Sequence, residues 1–106
     1  MIRHHFAGQD DARGVYAKEL HISAGTLLTS HRHAYDHLSI LASGFASLTL
    51  GDDVPHVLHG PVALTIPKGA EHTLRAITDV VWFCIHPTEE TDTLKIDEAI
   101  LSQESV

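Results

Sequence analysis

The sequence predicts an all-β domain, a small double-sheet barrel of jelly-roll type closed by a short C-terminal helix. Three observations predict it. Short runs with period-two alternation recur along the chain, turn residues punctuate them at close intervals, and helical periodicity is confined to the last few residues. With 106 residues there is room for one core, so residues 1–106 are read as one domain, the barrel covering about 12–87 and the helix about 91–103.

Val15–Ile22 alternates loosely and ends at Ser23–Ala24–Gly25. Thr26–His33 is extended, with Leu27, Thr29, His31 and His33 on one face by alternation. After a connection at Ala34–Asp36, His37–Ala42 is the next run, Ser43–Gly44 ends it, and Phe45–Leu50 follows. Gly51–Asp52–Asp53 reads as a hairpin turn, because these residues accept its backbone angles at low cost. Val54–Leu58 returns, Gly60–Pro61 turns, Val62–Ile66 is another strand, and Pro67–Lys68–Gly69 is a tight corner before His72–Ile77. Val80–His86, β-branched and aromatic, is the strongest strand pattern of all. Beyond Pro87, Leu94, Ile96, Ile100 and Leu101 among acidic residues fit a short helix, with Thr91 or Asp92 to cap it. His4 and His5 sit at a terminus that is expected to fray.

Composition narrows the function. A formal charge of −7 leaves no basic face for nucleic acid or for an anionic membrane surface. No apolar run reaches the roughly 20 residues that span a bilayer, and the first residues lack the apolar stretch of a signal peptide. Cys84 is the single cysteine, so no internal disulfide forms and a cytoplasmic location is expected.

The informative excess is ten histidines. His31 and His33 lie two apart on one strand, so both side chains leave the same face and can converge on one ion. His37 can face them from the next strand, and His72 follows a corner that would aim it inward. An accidental H-x-H is the competing reading, since histidine is so frequent here. The glycines and proline around them decide the matter. Residues 25 to 44 read G-TLLTS-H-R-H-AYD-H-LSILAS-G, and residues 60 to 72 read G-PVALTI-P-K-G-AE-H. The first resembles the first cupin motif, G-x5-H-x-H-x3,4-E-x6-G, with His37 in place of the usual glutamate. The second resembles the second motif, G-x5-P-x-G-x2-H-x3-N, with one extra residue before Pro67 and Ala76 in place of asparagine. The resemblance covers most of the chain.

This resemblance implies a double-stranded β-helix of the small, single-domain, four-histidine kind. It implies one divalent transition metal on His31, His33, His37 and His72, with Mn or Fe preferred and Ni, Co, Cu or Zn as alternatives. It also implies a homodimer. By alternation, Leu27, Thr29, Ser39, Leu41, Leu74, Trp82 and Cys84 are candidates to line the pocket. Tyr35, Asp36 and Arg75 could reach its mouth, although a turn role for Asp36 and a solvated Arg75 are favoured. His21, His56, His59 and His86 match no motif position and are read as surface or turn residues. Four neutral imidazoles would leave the ion its full charge, which suits an anionic small-molecule ligand. The expected function is a dioxygenase-like oxidoreductase acting on a small organic substrate. A non-catalytic binding module and a metal-dependent isomerase or lyase are the alternatives, because fold alone does not choose between them.

Overall fold

A computed structural model describes residues 1–8, 14–29 and 36–88. Among the described residues nine strands appear in chain order: β1 (Ile2–Ala7), β2 (Gly14–Ile22), β3 (Leu27–Thr29), β4 (His37–Ser43), β5 (Phe45–Leu50), β6 (His56–His59), β7 (Val62–Ile66), β8 (His72–Ala76) and β9 (Val80–Thr88). They form two antiparallel sheets, β1-β2-β9-β4-β7 and β3-β8-β5-β6. No helix occurs among the described residues, and the expected C-terminal helix over 91–103 lies outside them.

The strands follow the alternation read from the sequence. On β2 the inward set is Tyr16, Lys18, Leu20 and Ile22, and on β9 it is Val80, Trp82, Cys84 and His86. These meet His37, Ser39 and Leu41 of β4 across the larger sheet. The smaller sheet contributes Ala46, Leu48, Leu74 and Ala76, and the two inner faces close over one apolar core around Trp82. Burial of this kind stabilises by about 25 cal/mol per Å² of apolar surface.

Three turns are where the sequence placed them. Asp53 N–H donates to the Leu50 carbonyl at 2.9 Å, closing the hairpin between β5 and β6. Ala70 N–H reaches the Pro67 carbonyl at 3.2 Å, closing the corner before β8. Gly44, at φ +94°, turns β4 into β5 against the Thr78–Asp79 turn. Side chains rarely adopt that backbone conformation, so glycine is required there.

The N-terminus does not fray as expected. β1 pairs along its whole length with β2, from Ile2 opposite Leu20 to Ala7 opposite Val15. Phe6 stacks on Tyr16, with ring centroids 5.0 Å apart. On the outer side, Glu19 is hydrogen-bonded to His5 of β1 at 2.8 Å and also to His21. His21 and then His5 hold its carboxyl below the usual range. Ring packing on one side and a shared carboxylate on the other tie down a segment whose own sequence is weakly patterned.

Candidate metal and ligand site

The candidate site is built where the start of β4, the start of β8 and the end of β9 meet. His37 opens β4 and His72 opens β8, so each sheet supplies one imidazole. Both are buried, at 3% and 2% exposure, and their ring centroids lie 5.9 Å apart with 41° between the planes. The pair fits a shared divalent ion in burial and donor type. Among the described residues no group of three or more His, Cys, Asp or Glu converges in the manner of a complete metal site. His31, His33 and Tyr35 lie outside the described residues.

The loops carrying the two imidazoles are fastened to each other. Asp36 Oδ1 accepts the Lys68 N–H at 2.7 Å, joining the entry of β4 to the Pro67–Gly69 corner. Asp36 thus takes the turn role favoured from the sequence. Arg75 is exposed, opposite Leu27 and Ser47 on the outer face of the smaller sheet, and does not reach the pocket.

Five of the residues expected to line the pocket are buried in the interior: Ser39, Leu41, Leu74, Trp82 and Cys84. Leu27 and Thr29 are exposed instead. The cause is register. Leu28 stands opposite Leu74, and directly opposed residues share a face, so Leu28 turns in while Leu27 and Thr29 turn out opposite Arg75 and Thr73.

Two interior residues were missed. His86, read as a surface or turn residue, is 3% exposed and stacks on His37, with centroids 5.0 Å apart and 22° between the planes. Its parity with Trp82 and Cys84 was the available signal. Lys18 is 2% exposed, on the same inward face as Tyr16 and Leu20. A lysine at an apolar position of an alternating strand was the signal there. His21, His56 and His59 are exposed, as expected.

Burial pushes the Cys84 thiol up to about 11, against the opposing pull of Lys18, Trp82 and Ser39. The same loss of solvent, and then Cys84, push the Tyr16 hydroxyl up. Both groups are neutral at physiological pH. The interior therefore holds a thiol and a phenol rather than their anions.

No family model and no curated protein matches the chain. Solved structures do. A cupin superfamily protein from Desulfitobacterium hafniense aligns over 83% of this chain and 78% of its own, at 19% identity and a TM-score of 0.66. A cupin-2 domain containing protein from Shewanella frigidimarina aligns over 82% and 79%, at 23% identity and a TM-score of 0.64.

The chain has the cupin fold.

The same fold extends to salicylate 1,2-dioxygenase from Pseudoaminobacter salicylatoxidans, solved with gentisate adducts. That likeness has 14% identity and a TM-score of 0.61, over 67% of this chain and 19% of the dioxygenase. The chain spans 60% of a Photorhabdus luminescens protein to which it is also similar, over 67% of its own length, at 19% identity and a TM-score of 0.61. No helix among its described residues is long and apolar enough to cross a membrane.

Proposed function

We propose that this cupin binds one divalent transition metal, Mn or Fe by preference, through His31, His33, His37 and His72, and acts as a dioxygenase-like oxidoreductase on a small organic substrate. The observation that carries the reading is the pairing of His37 and His72, two buried imidazoles from opposite sheets with centroids 5.9 Å apart. The sequence places two further histidines within six residues of His37. A bound ion of this kind supplies Lewis acidity and one-electron chemistry. The chain's own residues supply the rest. His37 and His72 are buried imidazoles that would hold the ion, and Leu41, Leu74 and Trp82 belong to the apolar core they adjoin. Excluding water in this way strengthens every charge interaction inside the pocket. The protein works as a homodimer in this reading.

Elemental analysis of untagged protein, dialysed without chelator beside a His37→Ala variant, tests the reading. About one Mn or Fe per chain, much reduced in the variant, is the expected result and leads to oxygen-uptake assays. Stoichiometric Zn that persists without His37, or no metal at all, overturns it.

A further inference from the structure

β9 is apolar on both of its faces. Val80, Trp82 and Cys84 belong to the core, and the residues between and beyond them, Val81, Phe83, Ile85 and Pro87, face outward. An antiparallel sheet with one solvated face alternates apolar with polar residues, so a strand apolar on both sides is the pattern of one covered on both sides.

Register carries this outward surface across the larger sheet, because directly opposed residues share a face. Ile85 stands between Ala17 of β2 and Leu38 of β4. Phe83 stands opposite Ile40, which in turn stands opposite Ala63 of β7. Leu38 is 42% exposed and Ala63 is exposed, while Ile40, Phe83 and Ile85 are half-buried. The middle of the smaller sheet differs, for Ser47 and Thr49 of β5 and Thr73 and Arg75 of β8 make its outward face polar.

The size of the patch selects its occupant. From Pro87 to Val81 is roughly 20 Å along β9, and the four strands from β2 to β7 span about 14 Å. That is roughly 300 Å² of surface, whereas a stable interface between two proteins takes about 800 Å² from each. A helix over 91–103, as the sequence predicts, would be about 20 Å long and 10 Å wide, which matches.

The chain supplies that segment at the edge of the patch. β9 ends at Thr88, directly after the outward Pro87, and residues 89–106 follow outside the described residues. Their sequence carries Leu94, Ile96, Ile100 and Leu101, with six acidic side chains against one lysine. Arg3 and His5 of β1 border the patch on the same face, opposite Glu19 and Ala17, and suit an acidic neighbour. A short tether also holds the segment at an effective concentration in the millimolar range, which a second copy of the chain does not reach.

We propose that residues 89–106 dock on the outer face of the larger sheet, their apolar side chains covering Leu38, Ile40, Phe83 and Ile85. Leu38→Cys and Ala63→Cys each place a thiol on the patch of the full-length chain, and dipyridyl disulfide reads its accessibility. Cys84 is buried and stays silent in the folded protein. Each new thiol is expected to react about tenfold or more slowly than when Ile100→Asp and Leu101→Asp are added to the same chain. Val57→Cys, on the outward face of β6 and 68% exposed in the wild type, is expected to react equally in both backgrounds. Should Cys84 become reactive in the aspartate variant, a chain ending at Thr88 replaces it as the uncovered reference. The inference is overturned if the patch thiols react as fast with the segment intact as without it. Protection that fades on dilution overturns it in favour of a second copy. So does loss of both protection and a sedimenting dimer in the aspartate variant, since the segment would then come from the partner.

Discussion

The rings of His37 and His86 stack with centroids 5.0 Å apart and 22° between their planes. Behind His86 lies Tyr16, at 6.2 Å and 16°, and the Tyr16 hydroxyl is hydrogen-bonded to His4 at 2.7 Å. His37 is therefore braced by a column of rings that crosses β4, β9, β2 and β1. His86→Phe keeps a flat ring at this position and is expected to bind Co²⁺ within a few-fold of wild type. His86→Ala leaves His37 unsupported and is expected to weaken binding about tenfold, in the range found when groups that orient a ligand are removed. Visible absorption of the Co²⁺ form checks both variants. Equal losses in the two would identify His86 as more than a brace.

Asp36 ties the loop of His37 to the corner before His72 through the Lys68 N–H. Asp36→Ala removes one exposed hydrogen bond and is expected to cost about 1 kcal/mol of stability. Metal affinity should fall further than that stability loss alone accounts for, since the two imidazoles are then fixed less well relative to each other. Urea denaturation of the metal-free protein, compared with metal titration of the same variant, separates the two effects.

Cys84 gives the fold a sensitivity to alkali. An unfolded chain releases the thiol proton near its ordinary pKa of 9.0, whereas the folded chain holds it to about 11. Between those values the native state binds the extra proton, so stability is complete below pH 9 and falls as pH rises towards 11. The loss is of the order of 2–3 kcal/mol, and Tyr16 adds to it in the same direction above pH 10. Urea midpoints at pH 8 and pH 10.5 should differ less in Cys84→Ala than in wild type. For the same reason Cys84 should resist thiol reagents at pH 8 until the protein is unfolded.

Gly44 combines a left-handed backbone with close contacts. A Cβ there would press on the Asp79 carbonyl and lie 2.8 Å from Thr78 Oγ1, the atom that accepts the Phe45 N–H. Gly44→Ala is expected to cost about 2–4 kcal/mol, from backbone strain and overpacking together. At Gly25, also at positive φ, a Cβ meets nothing within 4 Å, so Gly25→Ala should cost markedly less. Thermal melts of the two variants give the comparison.

Strand positions were largely legible because alternation is a local property. Val15–Ile22, Phe45–Leu50 and Val62–Ile66 lie within one residue of their expected bounds. Faces were less legible where a strand is short. β3 has three described residues, too few for alternation to select its inward side, and its pairing with β8 made the choice. The N-terminal strand was illegible for another reason, since its support from Phe6 on Tyr16 and from the Glu19–His5 pair is non-local.

What the sequence alone determined is the cupin pattern: short alternating strands, glycines at the sharp turns, and two spaced motifs that include His37 and His72. Those features are local or fixed in spacing, so they can be read without coordinates. Only the tertiary structure decided that β1 is a paired strand, that Leu27 and Thr29 face solvent, and that His86 and Lys18 face the interior. It also set Ser39, Cys84 and Trp82 together beneath the histidines. Each of these depends on which strand lies beside which, and cross-strand register is fixed by the packing of the whole barrel rather than by any one segment.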